Sequence, residues 1–286
     1  MTPRAELALG TSQLGLAEPG RGRPRVGEQE VSHLLETAAA AHLCLVDTAA
    51  AYGNAEQLLG LSWPFPSPFR AMTKTIPLSE GLDRVEARAR RSLEHMGLPR
   101  AYALLVHNAD DLLGPDGREL WTRLERLRGE GLFQKIGVSV RHAAEAAPLA
   151  RRFRPDVVQL PCSMLDQRPV RDGTLAALSD LGVEIHLRSI FLKGLLFLPR
   201  EALPPRLAGA GPRLSRIRRM LAEAGADPLQ AALAYAQTRP EADAVIVGVG
   251  SAAELRALIA ASHAPVPDLD WTQLSLDHDA ALSTAA

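Results

Sequence analysis

The chain has 286 residues, 47% hydrophobic and 23% charged, with a formal net charge of -1. It is long enough for a full apolar core and too neutral for a general attraction to nucleic acid or membrane surfaces. Its two cysteines, Cys44 and Cys162, lie in separate apolar segments and do not make the framework of a disulfide-stapled domain. The opening MTPRAELALG lacks the apolar centre of a signal peptide, and no stretch nears the roughly 20 apolar residues of a membrane span. The cytoplasm is the expected compartment, and with no break in composition a single domain over residues 1–286 is expected.

In chain order, Leu7 to Gly10 is a short apolar segment closed by Gly10-Thr11, and Gly15 to Arg25 reads as loop. Val31, Leu34, Leu35 and Ala38 recur at helical spacing within Glu28 to Ala41. Leu43 to Val46 is a strand running into Asp47, and Asn54 stands where it could cap a helix reaching Leu61. The WPFPSPF run cannot continue a helix, so it is a connector to a strand ending at Lys74. Val85, Ala89, Leu93 and Met96 mark the next helix, stopped at Gly97.

The alternation continues with strand 101–106, helix 117–129, strand 135–139, helix 143–153, strand 156–160 and helix 174–181. A strand at 183–188, a Pro- and Gly-rich loop at 198–212, helices 214–224 and 229–238, a strand at 244–247 and a helix at 251–261 complete it. Eight strands alternating with helices predict an α/β fold of (β/α)8 TIM-barrel type, which accommodates roughly 250 residues as one domain. The loop after the seventh strand is the expected lid or substrate wall.

Three polar groups sit where such barrels place chemistry, at the C-terminal ends of strands: Asp47, Lys74 and His107, with Tyr52 in the loop after the first. A carboxylate ending an apolar strand needs a partner, and Lys74 can provide it. An ammonium beside a phenol favours the phenolate and makes the phenol a better proton donor, while an imidazole can hydrogen-bond the same acceptor oxygen. The chain has only three lysines, Lys74, Lys135 and Lys193, against abundant arginine, and one of them stands where a compact, shiftable ammonium is useful.

These residues, with the opening ALGTSQLGL, DTAAAYGNAEQLLG, the Lys of TKT, LLVHN, GVSV, VVQLPCSMLDQR, RSIFLKGLL and VIVGVGSAAEL, resemble the aldo/keto reductases over nearly the whole length. The resemblance implies a nicotinamide-dependent oxidoreductase that reduces an aldehyde or ketone, sugar-derived ones included, and is favoured to use NADP(H), with NAD(H) as the other cofactor. It implies Asp47, Tyr52, Lys74 and His107 as the catalytic tetrad, with Tyr52 as general acid. It further implies cofactor contacts from Gly10, Thr11, Ser139, Gln159, Cys162, Ser189, Leu192, Gly194, Gly248, Ser251 and Glu254. The sequence departs from the family's pattern at Cys162, where an aromatic residue usually stacks on the nicotinamide, and at Val140, where many members carry Asn. After the last strand it lacks the basic residues many members use to bind a 2′-phosphate.

Other readings of the same residues stand beside this one. A Schiff-base lyase on the same barrel would use Lys74 or Lys193 as nucleophile, and a non-catalytic nucleotide-binding barrel is suggested by Cys162. The run Gly248 to Ala253 fits the dinucleotide pattern GxGxxA, but too little chain follows for a doubly wound domain. Its glycines are expected to let a phosphate approach a helix N-terminus. Arg213, Arg216, Arg218 and Arg219 could grip a phosphate, although a solvated helix face is the plainer expectation. The eight histidines show no metal-ligand spacing. A small carbonyl compound is the expected partner, with no nucleic acid and no membrane.

Overall fold

Short apolar strands alternating with amphipathic helices can bury both faces of a sheet only if the helices cover it. In the computed structural model, β1 to β8 pair in sequence order, all parallel, and β8 pairs back onto β1 to close a barrel. The structure describes residues 4–15, 26–199, 202–203 and 205–276. The strands are β1 (Glu6–Gly10), β2 (Leu45–Asp47), β3 (Arg70–Lys74), β4 (Ala101–Val106), β5 (Phe133–Ser139), β6 (Val157–Pro161), β7 (Glu184–Arg188) and β8 (Ala244–Gly248). The helices of the first half are α1 (Ser12–Gly15), α2 (Glu28–Ala40), α3 (Ala55–Ser62), α4 (Leu82–Met96), α5 (Asp110–Leu113) and α6 (Gly117–Gly129). Those of the second half are α7 (Ala146–Phe153), α8 (Arg168–Arg171), α9 (Thr174–Asp180), α10 (Gly211–Glu223), α11 (Pro228–Gln237) and α12 (Ala252–His263).

All eight expected strands are present. The one-turn helices α1, α5 and α8 have no counterpart in the periodicity, because four residues are too few to show a 3.6-residue repeat. Asn54 occupies the cap position of α3 without a side-chain capping bond. Asp227 and Ser251 do cap, accepting from backbone N–H groups of α11 and α12. The stretch 16–25 and the tail beyond 276 lie outside the described residues. Within the expected loop 198–212, Pro205–Ala210 is a 3-10 helix leading directly into α10.

The core has two shells. Ala8, Leu45, Met72, Ala103, Leu105, Val157, Ala244 and Ile246 fill the barrel interior. Outward-facing strand residues such as Val46, Ala71, Leu104, Val158, Ile185 and Val245 pack against the apolar faces of the helices. Alternation then dictates which neighbours point inward. Two residues beyond the interior positions lie Gly10, Asp47, Lys74, His107, Gln159 and Gly248, at the C-terminal mouth. Gly137 of β5 faces this interior at a crowded point, where a Cβ would lie 2.1 Å from the Val157 carbonyl oxygen.

At the opposite end the inward positions are polar and close the barrel. Tyr102 lies between Arg70 and Lys135, whose charged groups are 4.8 and 4.9 Å from its ring centre. Lys135, Tyr102 and His186 all bond Glu184, and Arg70 pairs with Glu6 at 2.7 Å. Burial by itself would raise the Glu184 carboxyl, but the His186 and Lys135 hydrogen bonds override it and hold it down at about 2. The plug leaves the C-terminal face as the open end of the barrel.

The arginines expected as a solvated face divide. Arg219 reaches Glu223 on the surface, whereas Arg213 donates to the carbonyls of Ser275 and Gln273, and Arg218 to those of Leu195, Leu196 and Leu198. These two therefore fasten the C-terminal segment and the loop after β7 onto α10.

Candidate active site

A cavity of about 640 Å³ opens at the C-terminal mouth. Its wall includes Asp47, Tyr52, Gln159 and Arg188 from the barrel mouth, Gly248, Val249, Glu254, Ala257 and Leu258 from the end of β8 and α12, and Phe191, Gly194 and Phe197 from the loop after β7.

The Asp47–Lys74 pair is built by two adjacent strands. Lys74 is 1% exposed, and its ammonium donates to Asp47 Oδ1 at 2.5 Å and to the Thr48 carbonyl at 2.9 Å. Gln159 Nε2 donates to the same Asp47 oxygen at 2.9 Å, and Gln159 Oε1 accepts from Ser139 Oγ. The backbone of Asp47 is held from the other side, where both the N–H and the hydroxyl of Thr11 donate to its carbonyl. The carboxylate is thus buried, ion-paired and hydrogen-bonded, as burial of a charge requires.

Tyr52 stands over this pair. Lys74 Nζ lies 5.2 Å from its ring centre, and the His107 ring meets it edge-on, with centroids 5.9 Å apart and planes at 85°. The ammonium faces the ring of the phenol, so it acts on Tyr52 through space. The loop carrying Tyr52 is set by two glycines. A Cβ on Gly15 would lie 1.8 Å from the Tyr52 carbonyl oxygen, and one on Gly53, whose φ is +60°, would lie 2.3 Å from the Gly15 carbonyl oxygen.

His107 is held neutral. Burial, and after it the charge of Lys74, lowers its pKa from 6.5 to about 4. The unfolded chain therefore takes up a proton near 6.5 that the folded protein refuses until about 4, so stability falls as pH drops through that window. His107→Gln should flatten the loss of urea-unfolding midpoint between pH 6.5 and 4. An unchanged slope would show that the imidazole is not the group responsible. The contribution of Glu184 is distinct, since it is lost only as pH falls below 4.5.

The other expected contact residues separate. Gly10, Thr11, Gln159, Ser189, Gly194, Gly248 and Glu254 line the cavity. Ser139 stands behind Gln159, its hydroxyl donating to the amide oxygen, and Ser251 caps α12. Cys162 and Leu192 belong to the buried apolar shell between strands and helices, with Cys162 only 1% exposed, so neither forms part of the cavity wall. At Cys162 the reason is alternation: Gln159 points inward, and three residues further on the side chain faces the helices. The phosphate cradle expected from the glycines before α12 is occupied by the protein itself. Glu254 accepts from the Gly250 N–H, Glu30 from the Ala252 N–H, and Ser251 from the Glu254 N–H.

Arg188 is the inward residue at the end of β7 that motif reading passed over. The polar alternation Glu184, His186, Arg188 carries the signal for it, because an inward strand with a polar face must lead to a plug or a site. Among the described residues no cluster could hold a metal ion, and no helix is long and apolar enough to cross a membrane.

A closed parallel (β/α)8 barrel with polar groups gathered at its C-terminal mouth defines the class of fold. The family model described as "Aldo/keto reductase family" matches residues 6–275, and the chain belongs to that family. No curated protein sequence matches the chain. Among solved structures, an aldo-keto reductase from Bacillus halodurans in its holo form superposes with a TM-score of 0.74 at 19% identity, over 99% of this chain and 92% of that one. An aldose reductase from Giardia lamblia gives a TM-score of 0.68 at 17% identity, over 96% and 92% of the two chains. At these identities the likeness is one of fold.

Proposed function

We propose that the protein reduces an aldehyde or ketone to the alcohol with a nicotinamide dinucleotide, Tyr52 donating the proton. The observation that carries this reading is that Tyr52, on the wall of the cavity, meets both the buried Lys74–Asp47 pair and neutral His107. The cavity suits a dinucleotide: it holds about 640 Å³, has glycine backbone at Gly10 and Gly248, and presents the Gln159 side chain beside Asp47. Gly10, Thr11, Gln159, Ser189, Gly194, Gly248 and Glu254 would hold the cofactor, with Ser139 orienting Gln159. When bound, the cofactor supplies the hydride.

The rest of the chemistry belongs to the chain. The Tyr52 hydroxyl gives its proton to the carbonyl oxygen as negative charge develops there. Lys74 stabilises the phenolate left behind, and Asp47 keeps the ammonium charged and in place. The neutral imidazole of His107 orients the carbonyl oxygen toward Tyr52. A Schiff base on Lys74 is disfavoured, because its amine is ion-paired, buried and off the cavity wall. The side chain of Lys193 lies outside the described residues. The cytoplasm remains the proposed compartment.

Mixing protein, cofactor and a carbonyl panel should consume the reduced nicotinamide absorbance. Tight cofactor binding with no consumption across the panel would favour the non-catalytic barrel instead. Within this reading, NADH is expected to bind more tightly than NADPH, against the family tendency toward NADP(H), because carboxylates take the backbone donors at the start of α12. Glu254→Arg should move the ratio of dissociation constants toward NADPH by about tenfold, the scale of one charge-assisted hydrogen bond. Tighter NADPH binding by the unaltered protein would show that Glu254 does not oppose the 2′-phosphate.

A further inference from the structure

The charges at the catalytic end of the cavity do not cancel. Asp47 is matched by Lys74, and His107 is neutral at pH 7. That leaves Arg188, whose guanidinium reaches from the end of β7 across the end of β6 to β5, where Nη2 donates to the Val140 carbonyl at 2.7 Å. Nη1 donates to Ser189 Oγ at 2.9 Å. Both partners are neutral. Among the described residues no carboxylate lies within ion-pairing distance of Arg188, whereas Lys74 has one in Asp47. Burial presses its pKa down; Tyr52 and Asp47 act the other way, and the nearby Arg141 charge adds a smaller downward push. A guanidinium offers five donors in a planar fork, and the fork at Arg188 spends two of them on the protein.

A half-buried charge with no counter-ion in the protein is a natural partner for an anionic ligand. Arg188 lines the same cavity as Tyr52 and Asp47 and feels both electrostatically, and the reading above places the carbonyl at Tyr52. We propose that Arg188 selects carbonyl substrates bearing an anion, a carboxylate or phosphate a few bonds from the reacting carbon, which the guanidinium holds while Tyr52 meets the carbonyl oxygen. The inference rests on the reductase reading for the word substrate, but the anion site itself does not. A cofactor pyrophosphate would be the other source of such an anion. It is disfavoured because Arg188 lies close enough to Tyr52 and Asp47 to feel both electrostatically, and its guanidinium is held at the Val140 carbonyl just past Ser139, which bonds Gln159.

The test uses carbonyls matched in skeleton but not in charge: pyruvate against methyl pyruvate, succinic semialdehyde against butyraldehyde, and glyceraldehyde 3-phosphate against glyceraldehyde, all at saturating cofactor. At least one charged member should exceed its neutral partner tenfold or more in kcat/KM. Arg188→Met should cost that member at least thirtyfold and the neutral one less than threefold, and Arg188→Lys, which keeps charge but not the fork, should fall between them. Circular dichroism and cofactor affinity serve as controls for folding. Equal losses on charged and neutral carbonyls would overturn the proposal, as would loss of cofactor affinity by the same factor, which would assign the anion to the pyrophosphate. Calorimetric titration of the same anions into Tyr52→Phe and into Tyr52→Phe/Arg188→Met separates the two readings. Binding that needs Arg188, when the unaltered protein reduces no carbonyl of the panel, sinks the reductase and keeps the anion site. Turnover without any preference for charge does the reverse.

Discussion

Tyr52→Phe should lower kcat by ~10²–10⁴-fold, the range that a positioned proton donor contributes. The dissociation constant for the cofactor should stay within about twofold, because the change deletes one hydroxyl and leaves the ring seated between Lys74 and His107. This separation of effects is diagnostic. Loss in kcat with intact cofactor binding marks an interaction made only as the reaction proceeds. Stopped-flow turnover and fluorescence titration on one preparation measure both quantities. A full-rate variant would remove Tyr52 as the acid, and a variant that binds no cofactor would make its role structural.

Lys74→Met should damage stability and turnover together. Removing one partner of a buried ion pair strands the other charge, at a cost of about 3–5 kcal/mol. Asp47 would keep its bond from Gln159 but lose its counter-ion. The unfolding midpoint in urea measures the first effect. Adding Asp47→Asn to Lys74→Met should restore much of the lost stability, since no buried charge is then unmatched, while turnover stays low. A single variant that costs less than about 1 kcal/mol would mean that Asp47 finds water or protonates in place. Recovery of turnover in the double variant would show that the ammonium has no part in the chemistry.

Much of this architecture was legible from spacing. The strands could be located because interior and outer positions are both apolar, producing short continuous runs such as ALLV before His107 and AVIV before Gly248. Asp47, Lys74 and His107 stood out because a polar group at the end of such a run needs a reason. What could not be read was anything set by the facing of a side chain. Cys162 follows β6 closely enough to suggest the cofactor site, yet its odd offset from Gln159 turns it to the helices. Arg188 ends β7 at an even offset from His186 and turns inward, but in a chain rich in arginine its identity attracts no notice. The occupied donors at the start of α12 depend on Glu30, more than 200 residues away, and no local motif contains that information.

The crossing of Gly15 over the Tyr52–Gly53 peptide extends, beyond the strand ends, the link that Thr11 and Asp47 make between β1 and β2. The height of the phenol above the mouth is therefore co-determined by the short helix after β1 and by the turn after β2. Grafting the 47–53 turn alone into another scaffold would transfer the tyrosine but not its placement, whereas a transplant that carries residues 11–15 as well would keep both.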